Sequence, residues 1–134
     1  MKKHLYIILF VLPLIGFGQG NIGYTSTVDG TLFKTTDSGE TWVEIIDVDV
    51  LEQDYIEYMS FVNETTGYIT DWWNIWKTTD SGETWTLVYD DFDSTIYGGI
   101  SFVNETTGYT STVDGTLFKT TDSGETWVEI IDVD

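Results

Sequence analysis

The eight residues TTDSGETW occur three times in this chain, at Thr35–Trp42, Thr78–Trp85 and Thr120–Trp127, starting 43 and then 42 residues apart. A unit that recurs every ~20–50 residues buries its apolar face by stacking on its neighbours, and ~40–45 residues is the length of one four-stranded propeller blade. The fold question is therefore answered before the question of function.

The flanking sequence repeats as well. Residues 23–49, GYTSTVDGTLFKTTDSGETWVEIIDVD, recur without a change at 108–134, which reads as a recent duplication. Between them lies a diverged copy, Ser60–Val88, which shares SFVNETTGY with Ser101–Tyr109. Each complete unit parses into four short strands rich in Val, Ile, Thr, Tyr, Phe and Trp, the residues that suit a pleated and packed surface. In the third unit these are Ile100–Val103, Tyr109–Val113, Thr116–Thr120 and Trp127–Ile131, with Asn104–Gly108 as the first turn. Asp114-Gly115 predicts a two-residue hairpin turn with positive φ at both positions. No stretch after Gly18 shows a helical period.

The expected fold is all-β: a β-propeller-type repeat of four-stranded antiparallel blades at about 22–49, 56–90 and 97–134, the first lacking its inner strand. A closed ring needs about four to eight blades. Three leave a partial propeller, with a longer parent chain, self-association to complete the ring, or an open stack as the alternatives; ending at Asp134, aligned with Asp49, favours the first.

Residues 1–18 stand apart from the repeats. Lys2 and Lys3, the apolar run Leu5–Ile15 and Gly16-Phe17-Gly18 form a signal peptide, with cleavage expected after Gly18. The apolar run is short of the ~20 residues of a spanning helix. The mature chain, 19–134, is expected to be secreted, periplasmic or at the cell surface, with no membrane association after cleavage.

Cleavage leaves 23 carboxylates against Lys34, Lys77 and Lys119, with no Arg, His or Cys. Nothing is left to neutralise a row of phosphates, so nucleic acid is not an expected partner, whereas basic partners suit the charge. Without Cys there is no disulfide, and packing alone must hold the chain.

With Thr35-x-Asp37-x-Gly39-x-Thr41-Trp42 and its two further copies on the page, the repeat resembles the Asp box, or bacterial neuraminidase repeat. The wider frame, SFVNETTGY followed by IWKTTDSGETW, is similar to the propeller repeats of the photosystem II stability and assembly factor family and related exported bacterial proteins. The resemblance implies the fold. An arginine-rich docking surface would be expected for the photosynthetic role, and this chain lacks it.

The residues themselves read as structural. Asp37, Asp80 and Asp122 can accept from backbone donors of their own turns, Gly39, Gly82 and Gly124 can take positive φ, and Thr35, Thr78 and Thr120 can add local bonds. Trp42, Trp85 and Trp127 then anchor the fourth strand. Asn63 and Asn104 likewise read as turn residues.

A sialidase-like glycoside hydrolase is the alternative function. The resemblance implies an arginine cluster for the sugar carboxylate, a Tyr-Glu pair and a further acid, and Lys is a poor substitute where planar, bidentate recognition is needed. Absence of His and Cys also excludes Ser-His-Asp and Cys-His arrangements and N/S zinc sites. The acidic linkers DVDVLEQD (Asp47–Asp54) and DDFDS (Asp90–Ser94) read as solvated loop surface, with a calcium site of oxygen ligands as the alternative; they do not follow the EF-hand pattern, and the expectation is no metal and no cofactor.

One place departs from the repeat. Where the first and third units have Val-Asp-Gly, the second has Asp71-Trp72-Trp73-Asn74, one residue shorter overall. Large aromatics bury by default, so Trp72 and Trp73 are expected to tuck between blades, and Trp76, aligned with Phe33 and Phe118, belongs to the core. If Trp72 and Trp73 are exposed instead, together with Asp90, Asp91 and Asp93 they would offer a site to a protein or a glycan. The reading is a secreted non-enzymatic binding module, with a purely structural spacer as a third class.

Overall fold

A computed structural model describes residues 21–27, 30–46, 56–90 and 94–131. The expected signal peptide at 1–18, the linker 47–55 and residues 91–93 lie outside the described residues. The chain divides at Ile56/Glu57 into two compact units. The first holds an antiparallel three-stranded sheet of β1 (Gly23–Ser26), β2 (Leu32–Thr35) and β3 (Val43–Ile46), in that order.

The second unit holds two four-stranded antiparallel sheets. One runs β4 (Tyr58–Phe61), β5 (Gly67–Thr70), β6 (Ile75–Thr78), β7 (Thr86–Tyr89), and the other runs β8 (Ile96–Phe102), β9 (Gly108–Thr112), β10 (Leu117–Thr120), β11 (Val128–Ile131). Within each sheet, strands adjacent in sequence are adjacent in space, an up-and-down meander. The fold is all-β and of the propeller type, and no helix occurs among the described residues.

The three sheets share their irregularities. In each, one extra residue stands on the last strand where it meets the strand before it: Leu32 pairs with Ile46 but Phe33 with Glu44, Ile75 with Tyr89 but Trp76 with Leu87, and Leu117 with Ile131 but Phe118 with Glu129. Such a bulge raises the local twist and bends an edge that would otherwise pair with another chain.

Two sequence-based expectations need correction. Strand β8 begins at Ile96 rather than Ile100, because Gly98 and Gly99 loop out between the Ile96–Thr112 and Ile100–Thr110 pairs. Gly99 has φ +82°, and a Cβ on Gly98 would lie 1.5 Å from the Ser111 Oγ, so neither position accepts a side chain.

The hairpin at Asp114-Gly115 is the second. Only Gly115 has positive φ, Thr112 N–H donates to Thr116 O (3.0 Å) and Gly115 N–H to Thr112 O (3.0 Å). This is a three-residue loop, a turn followed by a glycine bulge, and not the two-residue form. The primed geometry sits elsewhere, as the next subsection shows.

The core of the second unit lies between its two sheets. Tyr68, Ile75, Ile96, Ile100 and Trp127 are buried, with Tyr58, Phe102 and Phe118 packed around them. All four residues of β5 are buried, since a strand inside a blade that is covered on both faces has no solvent side. Trp76 is buried as expected. In the first unit, Leu32 and Tyr24 fill the same role.

Close approach makes Gly67 indispensable. A Cβ there would lie 2.4 Å from the Phe61 ring, and that ring is held edge-on against Trp85 (centroids 6.2 Å, 84°). Gly67→Ala should therefore destabilise the fold by ~1–3 kcal/mol through overpacking, read as a lower urea midpoint at unchanged slope. An unchanged midpoint would show that the ring has room to move aside.

Candidate binding face

Each TTDSGETW segment folds into the same turn. In the second, the Thr78 hydroxyl donates to Asp80 Oδ1 (2.8 Å) and accepts from Gly82 N–H (2.9 Å), while Asp80 accepts from Thr84 N–H (2.9 Å) and the Thr84 hydroxyl. The same bonds recur around Asp37 with Thr35 and Thr41, and around Asp122 with Thr120 and Thr126. Trp85 and Trp127 donate their indole N–H to Gly82 O (3.1 Å) and Gly124 O (3.2 Å), folding each ring under its own turn.

The backbone explains why serine precedes glycine. Ser38, Ser81 and Ser123 have φ of 62°, 64° and 64°, followed by Gly39, Gly82 and Gly124 at 91°, 88° and 85°. Two consecutive positive φ angles are the signature of a primed turn, and a non-glycine residue there is strained. Ser38 is held by Asn21 just ahead of β1, its N–H and Oγ donating to Asn21 O (2.9 Å) and Asn21 Oδ1 (3.0 Å), and Ser81 and Ser123 are held by the turn that precedes the second strand of their sheets. Ser81 N–H and Oγ donate to Thr65 O and Glu64 O (both 2.8 Å), and Ser123 donates likewise to Thr106 O (2.9 Å) and Glu105 O (2.8 Å). The sequence reading assigned positive φ to the glycine alone and missed the serine.

Those supporting turns are themselves closed by Asn63 and Asn104. Each side-chain oxygen accepts from two backbone N–H groups, of Thr65 and Thr66 or of Thr106 and Thr107. Asn63 also donates to Glu105 Oε1 (2.9 Å), which ties the two sheets of the second unit.

Hydrogen bonds from threonine hydroxyls and backbone N–H groups hold the carboxyls of Asp37, Asp80 and Asp122 at a pKa of about 2, against an ordinary value of 3.8. Asp114 is lowered too, first by the Thr112 hydroxyl (2.6 Å). These residues accept protons poorly.

The departing turn of the second blade is built differently. Asp71 is buried, and its Oδ1 accepts from Trp73 N–H and Asn74 N–H (both 2.7 Å), while Oδ2 accepts from Asn74 Nδ2 (2.8 Å) and Trp76 Nε1 (3.4 Å). This pins a tight turn whose two central side chains point outward. Trp72 and Trp73 are 45% and 43% exposed, so the expectation that they tuck between blades is corrected. The Asx turn leaves them no path inward.

The same turn meets the third blade. Ile96 N–H donates to Trp72 O (2.8 Å), and Val113 N–H donates to Thr95 O (2.8 Å), so residues 94–96 stitch Asp71–Asn74 to Val113–Gly115. Val113, 61% exposed, stands with Trp72 and Trp73 along one edge of the unit, beside Asp114. Sequence reasoning missed Val113, whose place on this face depends on the stitch through Thr95. Of the predicted acidic residues, Asp90 is exposed on the linker leading here, whereas Asp91 and Asp93 lie outside the described residues. No cluster of three or more metal-ligating side chains occurs among the described residues.

An all-β stack of antiparallel blades carrying an exposed aromatic turn on one edge is a propeller-type architecture, and solved structures bear this out. A structure of YCF48 bound to D1 peptide is similar with a TM-score of 0.68 and 24% identity, over 83% of this chain and 36% of that one. YCF48 from Cyanidioschyzon merolae gives 0.69 and 18%, over 88% and 39%. An ancestral GH74 enzyme gives 0.67 and 16%, over 84% and 17%. The chain thus spans less than two fifths of the length of these proteins, and at such identities the likeness shows the fold alone. No family model and no curated protein matches the chain.

The lowered carboxyls set a pH dependence. A group that binds its proton less readily folded than unfolded stabilises the fold above its ordinary pKa of 3.8, and that contribution is lost as pH falls through about 2. Between those values wild type should lose thermal stability faster than Asp80→Asn or Asp122→Asn, each compared with its own stability at neutral pH. Parallel curves would show that these aspartates do not set the acid limit.

Proposed function

We propose that this chain is a non-enzymatic, propeller-type binding module, exported by way of the signal peptide at 1–18, that takes a basic protein segment on the Trp72–Trp73–Val113 face. The observation that carries the proposal is the pair of adjacent, half-exposed tryptophans on a turn fixed by buried Asp71. Aromatic anchors on a rigid support are what a recognition site requires, because little side-chain freedom is lost on binding. A formal charge of −18 selects basic partners, and an indole face attracts Lys or Arg.

The structure of YCF48 bound to D1 peptide supports a peptide as the kind of ligand a fold like this accommodates. The TTDSGETW segments of this chain fit the reading as Asp boxes that serve as turns. The likeness to GH74 enzymes favours glycoside hydrolysis as the second reading. Against it, the aspartates of shifted pKa, Asp37, Asp80, Asp114 and Asp122, are all lowered, whereas a general acid needs a raised one.

Screening Lys- and Arg-rich peptides beside a glycan array tests the site. Peptides should bind, and Trp72→Ala/Trp73→Ala should weaken them by about tenfold or more, the worth of two partly desolvated cation–π contacts. Equal binding by the double variant would remove the face from consideration. Selective glycan capture, or turnover of a fluorogenic glycoside, would overturn the protein-binding reading.

A further inference from the structure

Within the second unit the two sheets meet through one repeated device. Tyr68 on β5 is fully buried, its ring stacked on Phe102 (centroids 3.8 Å, 9°) and its hydroxyl donating to Ser123 O (2.8 Å). Burial pushes that phenol up to about 12, so it remains a donor. Lys77, opposite Tyr68 in the ladder, lies 5.7 Å from the ring centroid and donates to the same Ser123 carbonyl (3.3 Å). Gly124 sits directly on the ring, where a Cβ would come 3.1 Å from Tyr68 Cε1. The strained Ser-Gly turn of one blade is thus the acceptor of the Tyr-Lys pair of the blade before it.

The chain carries both halves of this device a second time. Tyr109 pairs with Lys119 across β9 and β10, and Lys119 Nζ lies 5.9 Å from the Tyr109 centroid, the Tyr68–Lys77 arrangement again. Tyr109 is 38% exposed where Tyr68 is fully buried, and within this unit neither the Tyr109 hydroxyl nor the Lys119 ammonium has a described acceptor. In the first unit the Ser38-Gly39 turn has the same sequence and the same pair of φ angles as Ser123-Gly124. Within that unit no described donor reaches the Ser38 carbonyl, and a Cβ on Gly39 would meet only Trp42.

We propose that a second copy of this chain seats its Ser38-Gly39 turn on the Tyr109–Lys119 face, with the Tyr109 hydroxyl and the Lys119 ammonium donating to the Ser38 carbonyl. The occupant follows from the residues. The donor half is that of the junction already present, and the acceptor half lies in a segment identical to the one that forms it. Lys119 also brings positive charge to a turn bearing Asp37 and Glu40, as Lys77 does opposite Asp122 and Glu125. The contact joins different surfaces of the two copies, so it continues head to tail into a ring or an open row rather than closing as a two-fold dimer.

Sedimentation velocity of the full chain at about 0.15 M salt, where the screening length of ~8 Å damps repulsion between two acidic chains, reads the association. The mean mass should rise with concentration above that of one chain. Tyr109→Phe should weaken association about fivefold and Lys119→Met about tenfold, the worth of a neutral and a charge-assisted hydrogen bond. Both variants should unfold at the wild-type temperature, and Glu129→Gln on β11 should associate as wild type does.

A chain without cysteine permits a direct check of the pairing. Glu40→Cys and Lys119→Cys proteins, mixed with a short bismaleimide, should give a linked product that neither gives alone. A single-chain mass at every concentration, association untouched by both variants, or linkage between like cysteines would overturn the proposal.

Discussion

The structure depends on one carboxylate in each turn. Asp37, Asp80 and Asp122 each gather a threonine hydroxyl from the strand before them and a backbone N–H and hydroxyl from the threonine after them. Gathering those donors forces the intervening Ser-Gly pair into two successive positive φ angles, which a serine adopts at a cost of about 1–3 kcal/mol. That cost is offset by the two hydrogen bonds each serine makes outside its own turn, Ser38 to Asn21 and Ser81 and Ser123 to the turns at 62–66 and 103–107. Remove the carboxylate and the strain has no clamp. The strain also has a product, because the twisted turn aims the serine carbonyl outward from its own blade.

In the second unit that outward carbonyl organises the contact between sheets. Ser123 O accepts from both Tyr68 and Lys77, which explains why a chain with so few cations places each lysine of its repeats opposite a tyrosine. Lys34, Lys77 and Lys119 lie over Tyr24, Tyr68 and Tyr109 at 5.8, 5.7 and 5.9 Å. Against a background of 23 acidic residues, each of these lysines lies over the tyrosine of its own repeat. The surface left for partners is correspondingly acidic, and its distinctive apolar feature is aromatic.

That feature arises where the repeat is broken. Replacing Thr112 and its loop by Asp71 and a shorter one converts a glycine-bulge hairpin into an Asx turn. In the strand that leads into this turn, the Thr70 hydroxyl is buried and has no hydrogen-bond partner among the described residues. A turn that departs from its repeat is a local break in fold consistency, which is where functional sites tend to fall.

From the sequence alone, the blade period, the strand content, the turn role of the repeated aspartates and the incomplete first sheet could be read, because each follows from local chemistry repeated at a fixed spacing. A short acceptor beside a glycine specifies a turn wherever it occurs, and alternating β-branched and aromatic residues specify a strand. Exposure could not be read this way. Trp72, Trp73 and Trp76 are the same residue type within five positions, and only the carboxyl of Asp71, accepting from both the turn and the Trp76 indole, sends the first two out and keeps the third in. Nor could the sequence reveal that Tyr68 and Tyr109, identical in their repeat position, end respectively buried and exposed. Burial is decided by what stacks against a blade, and that is a property of the neighbouring sheet rather than of the strand.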